Sequence, residues 1–242
     1  MSDRGTWGSR FGFVLAASGS AVGLGNIWGF PTKVGQNGGG AFVLVYLACV
    51  IFICLPILIA ELAIGRRTSS DPVGAYSKLR PGTRWWMAGG LGVAAGFGVL
   101  SFYSVIAGWA LAYIWFTAIG TVSSDALESA AFFTEFTGRA PINLLLTFVM
   151  LASTAGVLLG GIRSGIERVS KLLMPVLALL LIILAIRAVT LPGAAEGLAY
   201  YLKPDFSKAL NFGTLNAALG QAFFSLSLGL GTMLVYGSYL TK

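Results

Sequence analysis

Histidine is absent from this sequence. Without imidazole the chain cannot build a histidine metal site, an imidazole proton relay or a Ser-His-Asp triad from its own residues. Cysteine is nearly absent, the two present being Cys49 and Cys54 in one apolar stretch. Five residues apart on one helix, they are poorly placed to pair and read as buried, inert thiols. Charge is scarce too. Charged residues make up 10% of the chain against 56% hydrophobic, with a mean hydropathy of +0.82, whereas a soluble domain carries about 25% charged residues. Repeated apolar runs long enough to cross about 30 Å of hydrocarbon complete the picture of a protein in a lipid bilayer. The net charge of +7 would suit a nucleic-acid binder. The basic residues fall in short loops between apolar runs, however, which is the positive-inside pattern, so no nucleic-acid partner is expected.

What the chain has in quantity is apolar helix punctuated by glycine. Six spans are read, at about 11–36, 41–65, 86–118, 141–160, 170–190 and 211–240. A bend is expected at Pro56. Residues 1–10 form a polar N-terminal segment without a signal-peptide cleavage pattern, and 191–210 form a loop. The side carrying the N-terminus holds Arg4, Arg10, Arg66, Arg67, Lys78, Arg80, Arg84, Arg163, Arg168, Lys171 and Lys242, which is 11 of the 16 basic residues. Both termini are therefore placed in the cytoplasm, 191–210 outside, and the protein in the plasma (inner) membrane.

The first span is written against the rules for a membrane helix. Gly19 to Pro31 packs three glycines into seven residues, then Asn26 and a closing proline. Glycine costs about 1 kcal/mol against alanine in a helix and proline about 3, and an unpaired backbone group in hydrocarbon costs several more. Taken alone, the glycines favour a helix-packing face. Asn26, Pro31 and a matching break from Ser225 to Gly231 favour a binding site at mid-membrane, where half-helix ends face an anion and unwound carbonyls face a cation. Glu61 is the one acid deep in an apolar span. It reads as an acceptor for unwound backbone N–H groups, with a headgroup-facing partner of Arg66 as the alternative.

Trp7-Gly-Ser-Arg10, Gly19 to Pro31, Asn37-Gly-Gly-Gly-Ala-Phe42, Gly161-Ile-x-x-Gly-Ile-Glu167 and Gly220-Gln-x-Phe-Phe-Ser-Leu-Ser-Leu-Gly229 closely resemble the neurotransmitter:sodium symporters, bacterial amino-acid branch. The resemblance runs through the whole chain in order. It implies an all-α membrane protein: the first six transmembrane helices of the leucine-transporter-type inverted-repeat fold, with helices 1 and 6 unwound at mid-membrane. Residues 11–190 would be the first five-helix repeat and 211–242 the start of the second. It implies a sodium-coupled symporter for a neutral, apolar amino acid working by alternating access, not an enzyme. The alternative is a non-transporting amino-acid receptor or scaffold of the same fold.

Carried over residue by residue, the resemblance implies two sodium sites. One takes the Ala21 carbonyl, Asn26 and Ser225 together with the substrate carboxylate; the other takes the carbonyls of Gly19 and Val22. The substrate carboxylate would meet N–H groups at Leu24 and Gly25 and the Tyr103 hydroxyl. Its ammonium would meet carbonyls of Ala21, Phe224 and Ser225, with Ser227 nearby. Val99, Phe224 and Leu230 would shape the side-chain pocket, and Tyr103 and Phe224 its outer lid. For Tyr103 alone, an ordinary packing aromatic is the competing reading. Arg4, Trp7 and Tyr239 match an inner gate. Gly165 and Pro175 match an unwinding point, against an ordinary loop glycine and kink. Tyr46, Gln221 and Ser225 match three corners of a chloride site, making Cl⁻ a candidate third ion.

Two departures matter. Monoamine-transporting members carry an aspartate where this chain has Gly23, so the substrate is expected to bring its own carboxylate. Many members carry an outer-gate arginine where this chain has Gly29. The sequence stops one helix into the second repeat, so it reads as a piece of a longer symporter whose remaining helices complete the sites. Residues 1–242 alone are expected not to transport.

Overall fold

The computed structural model describes residues 5–209 and 211–241; Arg4 lies outside them. Among the described residues the fold is helical, with one isolated bridge between Gly39 and Pro204 and no strand. Four helices are long and apolar enough to cross a membrane, five if the first bent pair counts as one span. The molecule is thus a multi-pass membrane protein. Its exposed apolar side chains, such as Phe52 at 77% and Leu159 at 89%, suit contact with lipid or further helices.

The chain divides into two units, Met1–Val93 with Ile162–Lys242, and Ala94–Gly161. In the first unit, helix α1 spans Arg10–Ala21 and α2 spans Gly25–Gln36, the two bent by 53° across a short break. Ser9 caps α1, its hydroxyl accepting the Gly12 N–H at 2.9 Å, a serine N-cap of the usual kind. Helix α3 runs Gly40–Thr68, then a short loop helix α4, Pro72–Leu79. No sharp break occurs at Pro56; a π-turn over Val50–Cys54 precedes it and takes up the strain of the missing N–H.

Helix α5, Trp86–Ala118, runs from the first unit into the second. There it is followed by α6, Ala126–Gly138, and α7, Ala140–Leu159. Edge-to-face rings of Tyr113, Phe116, Phe132 and Phe136 fill this unit's interior, an arrangement the ring quadrupoles favour. The Asn143 amide donates to the carbonyls of Phe136, Thr137 and Arg139 and so closes the end of α6.

Back in the first unit, α8 spans Ile162–Val189, and α9, Ala194–Leu202, lies within the loop read at 191–210. One expectation needs correcting here. The helix of the fifth span starts near 162 rather than 170, because Arg163, Arg168 and Lys171 extend it beyond its apolar part instead of forming a loop. Gly165 sits in a π-turn over Ile162–Glu167, and Pro175 lies inside the helix that follows. The last span is α10, Phe212–Ser225, and α11, Thr232–Ser238, separated by six residues in turns.

Helix α3 packs along both α10 and α11. Its crossing with α11 is backbone to backbone: a Cβ at Gly65 would lie 1.9 Å from the Leu234 carbonyl oxygen, and one at Gly237 would lie 2.4 Å from that of Leu62. Small residues permit this approach where lipid offers no hydrophobic drive between helices. Phe42, Val34 and Ala218 are buried together, as are the free Cys49 and Cys54 with Ala222 and Leu228.

Candidate functional site

The first break begins at Val22, whose backbone turns extended (φ −92°, ψ 98°) after its N–H closes the last turn on the Ser18 carbonyl. Helix resumes as a π-turn over Gly25–Gly29, with the N–H groups of Asn26 and Ile27 both reaching the Gly23 carbonyl. The Asn26 side chain folds back across the gap, its amide donating to the Ala21 carbonyl. A side chain thereby replaces a lost backbone partner, as the accounting for buried polar groups requires.

The second break meets the first. Ser225, at the end of α10 and 4% exposed, donates its hydroxyl to Asn26 Oδ1 at 2.5 Å. One turn earlier, the buried Gln221 donates its amide to the Gly25 carbonyl at 3.0 Å, to Asn26 Oδ1 at 3.2 Å and to Ser225 Oγ at 3.3 Å. Four oxygens thus converge without a fixed charge, the carbonyls of Ala21 and Gly25, the side-chain oxygen of Asn26 and the Ser225 hydroxyl, with the Gln221 amide N–H groups bridging three of them. Among the described residues no group of three histidine, cysteine or acidic side chains forms a metal cluster. Neutral hard oxygens of this kind suit a weakly charged, hard cation.

Beyond Ser225 the chain turns sharply. The Leu228 N–H returns to the Phe223 carbonyl and the Ser227 N–H to that of Phe224, both at 3.1 Å. This is a Schellman closure, with Ser227 (φ 52°) in the left-handed position where glycine is usual. Ser227 is held there across the two breaks: its hydroxyl donates to the Ser20 carbonyl at 3.1 Å, and the Ser20 hydroxyl donates to it at 3.3 Å. Farther on, the Gly229 N–H donates to Glu61 Oε1 at 2.8 Å. Glu61 is 9% exposed, and its other oxygen is buried without a partner. The carboxylate of α3 therefore reaches unwound backbone, not Arg66, whose Nε donates to the Thr241 carbonyl instead.

Phe224 leans over the first break: a Cβ at Gly25 would lie 2.2 Å from its ring. Gly19 and Val22 line a groove of about 550 Å³ between α1 and α8, with Ser20, Ser170 and Met174. Leu230 lies between the two left-handed glycines Gly229 and Gly231. Val99 and Tyr103 lie half-buried on α5 in the second unit. Gly29 faces open space, with nothing within 4 Å of where its Cβ would be. Tyr46 packs its ring on Phe30 at 4.8 Å, and Gln221 turns its amide donors on Gly25 and Asn26.

At the N-terminal end, Trp7 donates its indole N–H to the Tyr236 carbonyl at 3.0 Å and its backbone N–H to that of Tyr239 at 3.4 Å. Its ring packs edge-on against Tyr236 and Phe13. Sequence reasoning missed what fastens this segment. Glu167, 1% exposed on α8, accepts the Gly8 N–H at 2.6 Å, the Ser9 hydroxyl at 2.9 Å and the Lys171 ammonium at 2.6 Å. It also missed Ser20 and the central place of Gln221. A signal existed for the last: an amide in an apolar helix, one turn ahead of Ser225, on the same face.

A model of the Sodium:neurotransmitter symporter family matches residues 4–124 and 133–242. The uncharacterized sodium-dependent transporter YhdH of Bacillus subtilis is 46% identical over 237 residues, covering 98% of this chain and 52% of YhdH. The sodium-dependent neutral amino acid transporter B(0)AT2 of Bos taurus is 30% identical, covering 98% of this chain and 36% of its own length. Among solved structures, MhsT in complex with L-phenylalanine matches with a TM-score of 0.90 and 50% identity, covering 99% of this chain and 54% of MhsT. The chain spans about half the length of these bacterial relatives.

Proposed function

The chain belongs to the sodium:neurotransmitter symporter family, a family of transporters and not of enzymes, and from that premise we propose that the complete protein imports a neutral, apolar amino acid together with sodium. The observation that carries this reading is the meeting of Asn26, Ser225 and Gln221 across two broken helices. One sodium ion takes the Ala21 carbonyl, the Asn26 side-chain oxygen and Ser225, with the substrate carboxylate as a further ligand. The Gly19 and Val22 carbonyls contribute to a second, completed by helices beyond residue 242. Because substrate and ion share a ligand shell, each raises the affinity of the other.

The substrate's carboxylate faces the N–H groups of Leu24 and Gly25 at the start of α2, where the helix dipole favours negative charge. Phe224 and Leu230 wall an apolar side chain, and the family resemblance assigns the Tyr103 hydroxyl and Val99 to the same substrate. Gly23 supplies no acid, so a substrate carrying its own carboxylate fits better than an amine. MhsT's recorded ligand, L-phenylalanine, is of the same class. Alternating access opens the site inward by releasing Trp7 from Tyr236 and Tyr239, with Arg4 completing that gate, and the N-terminus is cytoplasmic in the plasma membrane. Two sodium ions moving down ~100 mV and a ~tenfold gradient supply roughly 7 kcal/mol.

The test is a binding screen of the twenty amino acids on the full-length protein, in sodium and then in potassium or choline, with uptake measured in liposomes. Sodium-dependent binding and uptake of apolar amino acids is expected, and replacing chloride tests the third ion. Binding indifferent to sodium would sink the coupling, and binding without uptake would mark a receptor.

A further inference from the structure

The segment Gly229–Gly231 is clasped from a side the transport reading above leaves unexplained. Gly231 has φ 76°, and a Cβ there would lie 2.5 Å from Pro72 Cγ and 3.1 Å from Pro72 Cβ. The backbone of Pro72 is crowded as well: a Cβ at Gly89 would lie 2.5 Å from its carbonyl oxygen. One turn along α5, a Cβ at Gly92 would lie 2.6 Å from the Gly229 carbonyl oxygen. Pro72 is thus a buried wedge between the start of α5 and the second break.

The wedge is anchored. It opens α4 in the first turn, where proline's fixed φ is accommodated, behind the Asp71 cap that accepts the Gly74 N–H at 3.0 Å. The far end of α4 is tied by Lys78, whose ammonium donates to the Thr68 carbonyl at 3.2 Å and to the Ser70 hydroxyl. Thr68 ends α3, the helix that also carries Glu61. Helices α3 and α4 therefore grip the unwound segment at two points, Glu61 on the Gly229 N–H and the Pro72 ring on Gly231, while Gly92 backs the Gly229 carbonyl.

We propose that Pro72 is a positioning residue for the substrate site: its ring against Gly231 sets where the unwound backbone of the second break lies, and through it the placement of Leu230 and the turn that holds Ser227. Proline is apt for this, being rigid and buried with no N–H to satisfy. The inference rests on the reading of the two breaks as the amino-acid site. It adds that a loop helix outside that site helps fix substrate affinity.

The experiment uses the full-length protein, with equilibrium binding of tritiated L-phenylalanine in saturating sodium and thermal unfolding without ligand. Pro72→Ala removes Cγ and is expected to weaken binding about fivefold while the unfolding midpoint moves little. Gly231→Ala forces a Cβ into the ring and is expected to weaken binding more than about tenfold. The double variant is decisive, since contacting residues are non-additive. Removing Cγ makes room, so Pro72→Ala/Gly231→Ala should bind about threefold or more tighter than Gly231→Ala alone. Additive losses, or a Pro72→Ala variant that loses thermal stability with unchanged affinity, overturn the proposal. A wild-type protein with no sodium-dependent binding overturns the reading of the site, and the proposal with it.

Discussion

The Ser225 hydroxyl and the Asn26 side-chain oxygen lie 2.5 Å apart, joined by a hydrogen bond that ties the sixth membrane segment to the first. Both oxygens are ones the sodium reading assigns to a cation. On that reading an arriving ion would turn the hydroxyl proton away and take both oxygens, exchanging a hydrogen bond for two ion contacts. Asn26→Ala would then remove one ligand together with the bridge to Ala21. The full-length variant should lose about tenfold or more in sodium affinity, ~1.4 kcal/mol or above. Substrate affinity should fall in parallel, because linkage is reciprocal. Isothermal titration of each ligand checks this; loss of one affinity alone contradicts a shared shell.

Glu61 offers a second test. Glu61→Ala leaves the Gly229 N–H without its acceptor, at a cost of ~1–3 kcal/mol, read as a lower unfolding midpoint of the full-length protein. Glu61→Gln keeps an amide oxygen for Gly229 and should retain more than half of that stability. Equal losses in the two variants would mean that the charge matters, not the acceptor.

Gly29→Arg should be tolerated. Its Cβ meets nothing within 4 Å, and replacing glycine in a helical turn gains up to ~1 kcal/mol of propensity. The expected result is an unchanged or raised unfolding midpoint and slower substrate release, measured by dissociation of labelled substrate from the full-length protein. A folding failure would show that other helices of the complete protein fill the space.

Gly12→Ala should free the N-terminal segment. A Cβ there would sit 2.2 Å from Glu167 Oε1 and 2.4 Å from its Cγ, so the carboxylate has to leave, and with it the bonds to Gly8 and Ser9. Overpacking of this kind costs ~1–3 kcal/mol. Trypsin should cut after Arg10 faster than in the wild type. Adding Glu167→Ala should restore thermal stability lost to the clash while leaving the segment loose. If the double variant is less stable than Gly12→Ala alone, the clash is not the cause.

The breaks were legible in the sequence because glycine, asparagine and proline stand out in apolar helix, and Gly19–Pro31 could be read without knowing any neighbour. The all-helical fold was legible through the family resemblance. The fastenings were not. Glu167 meets Gly8 and Ser9 across 159 and 158 residues, and no local pattern encodes such a meeting. Its neighbours Arg163, Arg168 and Lys171 look like a loop because charge ends a hydropathy window, while the backbone continues helical past the apolar stretch. Nothing in the sequence sets Pro72 apart from any other loop proline. Its partners Gly89 and Gly231 are identified only by where their absent side chains would collide.

Ser227 carries one more consequence. A serine in left-handed backbone is disfavoured against the right-handed form by roughly 1–2 kcal/mol, and here that cost is set against hydroxyl bonds to Ser20. If those bonds are lost, the backbone at 227 gains by relaxing to right-handed geometry, which lengthens α10 at the expense of the gap. The width of the second break is therefore under tension from the chain itself. Keeping it open depends on what Ser20, in the other broken helix, holds.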